Sequence, residues 1–193
     1  MGLLAAPELV FVRRAGYSDN FLGGQRWDVA DGDGHAVGEV VEVGLSVAGR
    51  LGRLLGSRLQ PDVDRRLELR DAGGGALCHI VRVPPTLRRD DVEVRTVGAA
   101  LLGTVSRMRL ADGKSLGYGL FNRTGALLAT VRRVRPGKPL YEVVERDGTR
   151  VATFDDAVPD VEGYRLRVAH HRPEPLRSLV LAVPIVRYFF HRA

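Results

Sequence analysis

The chain predicts a mainly β fold: a closed barrel of twelve antiparallel strands enclosing a hydrophobic C-terminal α-helix. Three observations carry this. A glycine-anchored turn frame recurs five times, the segments upstream of the turns alternate apolar and polar residues, and the C-terminal segment leaves no polar face when wound as a helix. At 193 residues, 45% apolar and 27% charged, the chain has the size and balance of one globular domain. We assign residues 8–193 to it, with 1–7 as a short N-terminal tail.

Residues 8–14 form the first strand, and five hairpins follow. Each carries the frame Gly, two residues, a branched apolar residue, a small residue, any residue and another apolar one. It is seen from Gly34 (Val37, Gly38, Val40), Gly74 (Leu77, Cys78, Ile80), Gly125 (Leu128, Ala129, Val131) and Gly148 (Val151, Ala152, Phe154). A fifth copy, from Gly98 through Leu102, Gly103 and Val105, carries one extra residue. The upstream strands are 26–30, 66–70, 92–96, 117–121 and 140–145; Leu67 and Leu69 alternate with Arg66, Glu68 and Arg70, as period two requires. Asp, Asn and Gly in the turns suit left-handed backbone conformations. The small residue after each turn implies close packing beneath the second strand. Residues 164–170 complete the count at twelve.

Twelve strands curl or close rather than stay open. Eight fill their own interior, whereas twelve leave a void about as wide as one helix, roughly 10–12 Å. Leu176, Leu179, Val180, Leu181, Val183 and Ile185, continued by Val186, Phe189 and Phe190, form the plug. Pro173 and Pro175 stop the preceding strand, and Pro184 removes one helical hydrogen bond. The segment contains Arg187, and no stretch reaches the roughly 18 uninterrupted apolar residues of a membrane span. A peripheral rather than membrane-spanning protein is expected. The first residues lack a basic signal-peptide start, which leaves the cytoplasm as the default compartment. Residues 44–60 read as a short crossover helix, with Leu45, Ala48, Leu51, Leu55 and Leu59 on one stripe and Arg50 and Arg53 opposite; the alternative is a basic amphipathic helix on anionic lipid.

The turn-Gly repeat ending in an apolar segment resembles the superfamily of LURP-one-related proteins, phospholipid scramblases and Tubby C-terminal domains. Residues 67–73 with Leu77, Cys78, His79 and Ile80, the turn at Gly125 with 128–131, and the terminal stretch 174–185 carry the resemblance. It implies the same twelve-stranded barrel around a central helix. It also implies a scramblase-like or lipid-binding role. The Tubby likeness implies phosphoinositide binding on the barrel's outer surface, with no residue carried over. Scramblases differ in a proline-rich N-terminal region and acylated cysteines, neither of which is found here. The acidic stretch with Asp155, Asp156, Asp160 and Glu162 lacks EF-hand spacing, so no metal and no cofactor are expected.

No catalytic residue emerges, and the expectation is a protein that is not an enzyme. HExxH and phosphate-loop motifs are absent from the sequence. The one cysteine, Cys78, excludes a disulfide or thiolate cluster, and its neighbour His79 points to the opposite strand face. Asp31 and Asp33 with Gly32 and Gly34 read as a turn. The residual signal is basic: the net charge is +6, and 27 of the 29 basic residues are Arg, which grips phosphate with a planar fork. A coding bias toward Arg accounts for the same excess. Arg132, Arg133, Arg135 and Lys138, with Arg50 and Arg53, are the headgroup candidates. Anionic phospholipid at the cytoplasmic membrane face is thus the expected partner. The alternatives are a soluble protein-interaction module without lipid binding and, less favoured, a nucleic-acid-binding barrel, which lacks the interleaving of aromatic and basic residues. The sequence sets no oligomeric state.

Overall fold

The computed structural model describes residues 2–14, 25–44, 65–83, 91–110, 116–134, 140–155, 163–169 and 172–191. The alternating segments become strands β1 (Glu8–Arg13), β2 (Arg26–Asp31), β3 (Ala36–Val43), β4 (Arg65–Asp71), β5 (Ala76–Arg82) and β6 (Asp91–Arg95). They continue as β7 (Leu101–Arg109), β8 (Leu116–Asn122), β9 (Leu127–Arg133), β10 (Leu140–Glu145), β11 (Arg150–Asp155) and β12 (Gly163–Val168). Helix α1 spans Leu176–His191, and a 3-10 turn, Leu3–Ala5, precedes β1. Each strand pairs with its neighbours in sequence. The ring closes through β1, whose Phe11 faces Val29 of β2 on one side and Tyr164 of β12 on the other.

One loop closes all five tight hairpins. In the first, the Gly34 N–H donates to the Asp31 carbonyl at 3.1 Å and the Asp31 N–H to the His35 carbonyl at 2.9 Å. The same pair of bonds recurs at 71–75, 96–100, 122–126 and 145–149. This is a three-residue loop, a type I turn followed by one left-handed residue. Gly34, Gly74, Gly125 and Gly148 hold the left-handed position at φ 87, 81, 81 and 90°. The first residue's side chain caps the turn: Asp31 Oδ1 accepts from the Asp33 and His35 N–H groups at 3.1 and 2.9 Å, and Asp71 and Asn122 repeat the pattern. The His35 amide is the main reason the Asp31 carboxyl lies below its usual range. Asp31, Asp33 and His35 lie close enough to share an ion, but Asp31 is engaged by the turn itself.

The hairpin read with one extra residue has none. Ala99, at φ 66°, takes the left-handed position rather than Gly98, and counting from Ala99 restores the common spacing to Gly103. A Cβ in this conformation costs about 1–2 kcal/mol, part of which glycine returns through its freer unfolded chain. Ala99→Gly is therefore expected to stabilise the protein by up to about 1 kcal/mol, read as a higher denaturant midpoint. A lowered midpoint would refute this turn assignment.

The apolar–small pair of the repeat is a bulge. Val29 faces Gly38 and Ala30 faces Ala36, so Val37 has no partner across the ladder. Leu77, Leu102, Leu128 and Val151 are skipped in the same way in the other four hairpins. Two successive residues then oppose one, and both turn toward the core. Val37, Val151, Cys78, Ala129 and Ala152 are buried, and Leu77, Leu102 and Leu128 pack against the core. The second member must be small because it lies against the neighbouring backbone: a Cβ on Gly103 would sit 2.1 Å from the Phe121 carbonyl oxygen, and one on Gly38 2.3 Å from that of Arg70.

Helix α1 fills the barrel. Every residue from 178 to 190 is buried, as are all six predicted plug residues. The helix packs on β5, β6, β7, β8 and β12, while Tyr188 meets Trp27 of β2 at 5.1 Å and Arg187 lies over Tyr141 of β10 at 4.8 Å. Contacts on all sides of a closed ring place it inside. It starts at the end with the five tight turns, where Leu179 approaches Gly103, and ends at the opposite mouth, where Phe190 stacks on Tyr118 at 5.2 Å. Leu3 and Ala6, within the stretch expected to be a tail, are buried in the core at the turn end. Apart from Gly44, the expected crossover helix lies outside the described residues.

The outer surface is laced with charge. Arg26–Glu39 (2.5 Å), Arg70–Glu68 (2.6 Å), Arg95–Glu93 (2.6 Å), Arg132–Glu142 (2.8 Å) and Arg167–Glu8 (2.9 Å) pair along or across strands. Such pairs contribute about 1 kcal/mol or less each, but they occupy much of the Arg excess.

Candidate functional site

Strand register determines which basic side chains turn inward. Tyr118 faces Arg107 on one side and Val131 on the other, and Arg133 faces Tyr141. Directly opposed residues share a sheet face. These positions on β7–β10 form the interior surface at the mouth opposite the five tight turns. α1 ends there, and Arg187, near its C-terminal end, joins them. The result is a cavity of about 350 Å³ lined by Arg107, Arg133, Arg187, Tyr118 and Tyr141, with Leu116, Gly117 and Val131 as its apolar wall.

Aromatic rings hold the three guanidinium groups. Arg187 is only 7% exposed; it lies over Tyr141 at 4.8 Å and donates from Nη1 to the Tyr118 hydroxyl at 3.2 Å. Arg133 lies over the same Tyr141 ring at 5.5 Å, and that ring is backed by Phe154 at 4.7 Å. Arg107 sits over Phe190 at 4.7 Å and donates to the Phe190 carbonyl. Ring faces attract cations without neutralising them. Among the described residues, the cavity lining brings together three positive charges and two phenol hydroxyls, with no carboxylate. Chemically, it is suited to hold an anion.

Strand alternation splits the basic cluster expected from the sequence. Arg133 faces the cavity, whereas Arg132 faces outward, exposed and paired with Glu142. Arg135, Lys138, Arg50 and Arg53 lie outside the described residues. Arg107, Tyr118 and Tyr141 escaped the sequence reading as site residues because each sits alone in an ordinary strand pattern. Arg187 was the one legible signal, a charge set within the apolar run 178–190.

The residues considered for nucleophilic chemistry stand apart from one another. Cys78 is in the core, and burial pushes its thiol up to about 12, far from a reactive thiolate. His79 belongs to an outer-face network, with Nδ1 2.7 Å from Arg66 Nη2 and Nε2 2.9 Å from Glu68 Oε2. Desolvation raises the Glu68 pKa, but hydrogen bonds from Arg70 and His79 outweigh it, leaving the carboxyl below its usual range. Of the acidic stretch that begins at Asp155, only Asp155 is described, 3.5 Å from Arg167.

No family model matches this chain, and no curated protein does. Among solved structures, the X-ray structure of a protein from Arabidopsis thaliana is similar, with a TM-score of 0.56 and 13% identity over 96% of this chain and 93% of that one. At this identity the likeness establishes a shared fold.

Proposed function

We propose that the protein is a non-enzymatic, scramblase-like barrel of the LURP-one-related and Tubby-like type that binds anionic phospholipid headgroups at the cytoplasmic face of a membrane. The observation that carries this reading is the composition of one barrel mouth. Leu116 and Val134, 75% and 41% exposed, stand at the strand ends that also present the exposed Arg107, Arg109 and Arg133. Exposed apolar side chains beside cations suit an anionic interface: the former enter the headgroup layer, and the latter each contribute about 1 kcal/mol near a negative surface. Two further features support attachment at the surface. No described helix is long and apolar enough to cross a membrane. The Arg–Glu pairs on the outer strand faces also oppose a strand-spanning arrangement, which requires an apolar outer band.

Flotation with phosphatidylcholine vesicles, with and without phosphatidylserine, tests the reading. Binding is expected only with the anionic lipid and is expected to weaken as salt rises. The double variant Arg109→Glu, Val134→Asp is expected to bind at least roughly tenfold more weakly. Equal binding to neutral and anionic vesicles, or an unaffected double variant, would overturn it. Recovery of a protein partner without any vesicle binding would favour an interaction module instead.

A further inference from the structure

We propose that the cavity at the mouth of the barrel is a binding site for a phosphate monoester with a small organic body, gripped by Arg107, Arg133 and Arg187. This goes beyond the membrane reading, since the site lies inside the barrel rim and needs no bilayer to form.

The argument rests on geometry and charge. The three guanidinium groups come from three separate elements, β7, β9 and α1, and converge on one space. A carboxylate is satisfied by one planar fork. A tetrahedral phosphate presents three oxygens in different directions and carries close to two negative charges at neutral pH, which suits donors approaching from several sides. The Tyr118 hydroxyl accepts its hydrogen bond from Arg187, so its own proton is directed to a different acceptor. Arg133 makes no ion pair with a described residue and is held by the face of Tyr141. The volume of about 350 Å³ falls within the range of small-molecule sites and exceeds what a phosphate group needs. The remaining space, bounded by Leu116 and Val131, receives the organic part. Because Arg187 is carried by the plug helix, the site is complete only when α1 is seated.

Titration calorimetry of the full chain with glycerol 3-phosphate, inorganic phosphate and glycerol tests the site at constant ionic strength. Saturable binding at one site is expected for the first two, and none for glycerol. Arg107→Gln and Arg133→Gln, both at exposed positions, are each expected to weaken binding about tenfold, with thermal unfolding of each variant reporting on the fold. Arg187→Lys keeps the charge but removes the planar fork, and a similar loss is expected; its thermal unfolding reports separately on the fold. Vesicles containing phosphatidic acid identify the source of the ester. If they compete with glycerol 3-phosphate, the natural ester is a lipid headgroup. If the soluble ester binds and no anionic vesicle does, the site stands and the membrane reading fails. Absence of saturable binding by glycerol 3-phosphate and phosphate, or binding indifferent to both Gln variants, overturns the proposal even where vesicles still bind through Arg109 and Val134.

Discussion

Deleting residues 176–193 is expected to leave no soluble, cooperatively folded barrel. Leu176, Leu179, Val180, Leu181, Val183, Ile185, Val186, Phe189 and Phe190 are all buried against the strands' inner faces. At about 1.5–3 kcal/mol per buried side chain they contribute on the order of 20 kcal/mol, more than the 5–15 kcal/mol by which a typical domain is stable. The strands' own inner residues, among them Leu67, Val94, Val105 and Leu120, would face an empty lumen, since twelve strands leave too wide a space for side chains alone to fill. A single substitution tests the same idea more locally. Leu179, fully buried beside Gly103, replaced by Asp is expected to cost more than about 4 kcal/mol, because a lone carboxylate has no partner there. Circular dichroism and chemical denaturation of both variants provide the measurement. A truncation that remains soluble with a sharp unfolding transition would show that the strands close without their plug.

Gly103→Val is expected to destabilise the barrel by about 3 kcal/mol or more. A Cβ at this position would lie 2.1 Å from the Phe121 carbonyl oxygen, a backbone atom that cannot move without shifting β8, and 3.1 Å from the Leu179 side chain. The two valine methyls would press further on the plug helix. Ala129 holds the equivalent bulge position in the fourth hairpin, so Ala129→Gly, expected to cost only about 1 kcal/mol, is the matched control. Urea midpoints for the pair decide the question. Equal effects would mean that the small residue is not set by close approach of the neighbouring strand.

Much of this fold is legible because its instructions are local. The left-handed turn position favours Gly and holds it in four of the five turns, Asp or Asn caps three of them, and the bulge that follows needs a small residue after an apolar one. All of these fall within eight residues, so five copies stand out from their spacing. The one misread spacing, at Gly98, arose because Ala99 occupies a conformation that glycine ordinarily holds; nothing in the residue types marks this, and only the backbone dihedral does. The basic cluster misled for a related reason. Arg132 and Arg133 are neighbours in sequence, but successive strand residues face opposite sides, so one pairs with Glu142 outside and the other turns into the cavity.

By itself, the sequence determined a ring of twelve strands and an apolar helix to fill it, because turn chemistry, period-two alternation and all-round hydrophobicity act over short spans. It could not show that Arg107, Arg133 and Arg187 share one cavity. That convergence depends on long-range quantities: the register across four strands, the closure that curves them around the lumen, and the rotation of the plug helix that turns Arg187 toward Tyr118 and Tyr141. Only the tertiary structure decides these, because they arise from how the whole core packs and no local segment encodes them.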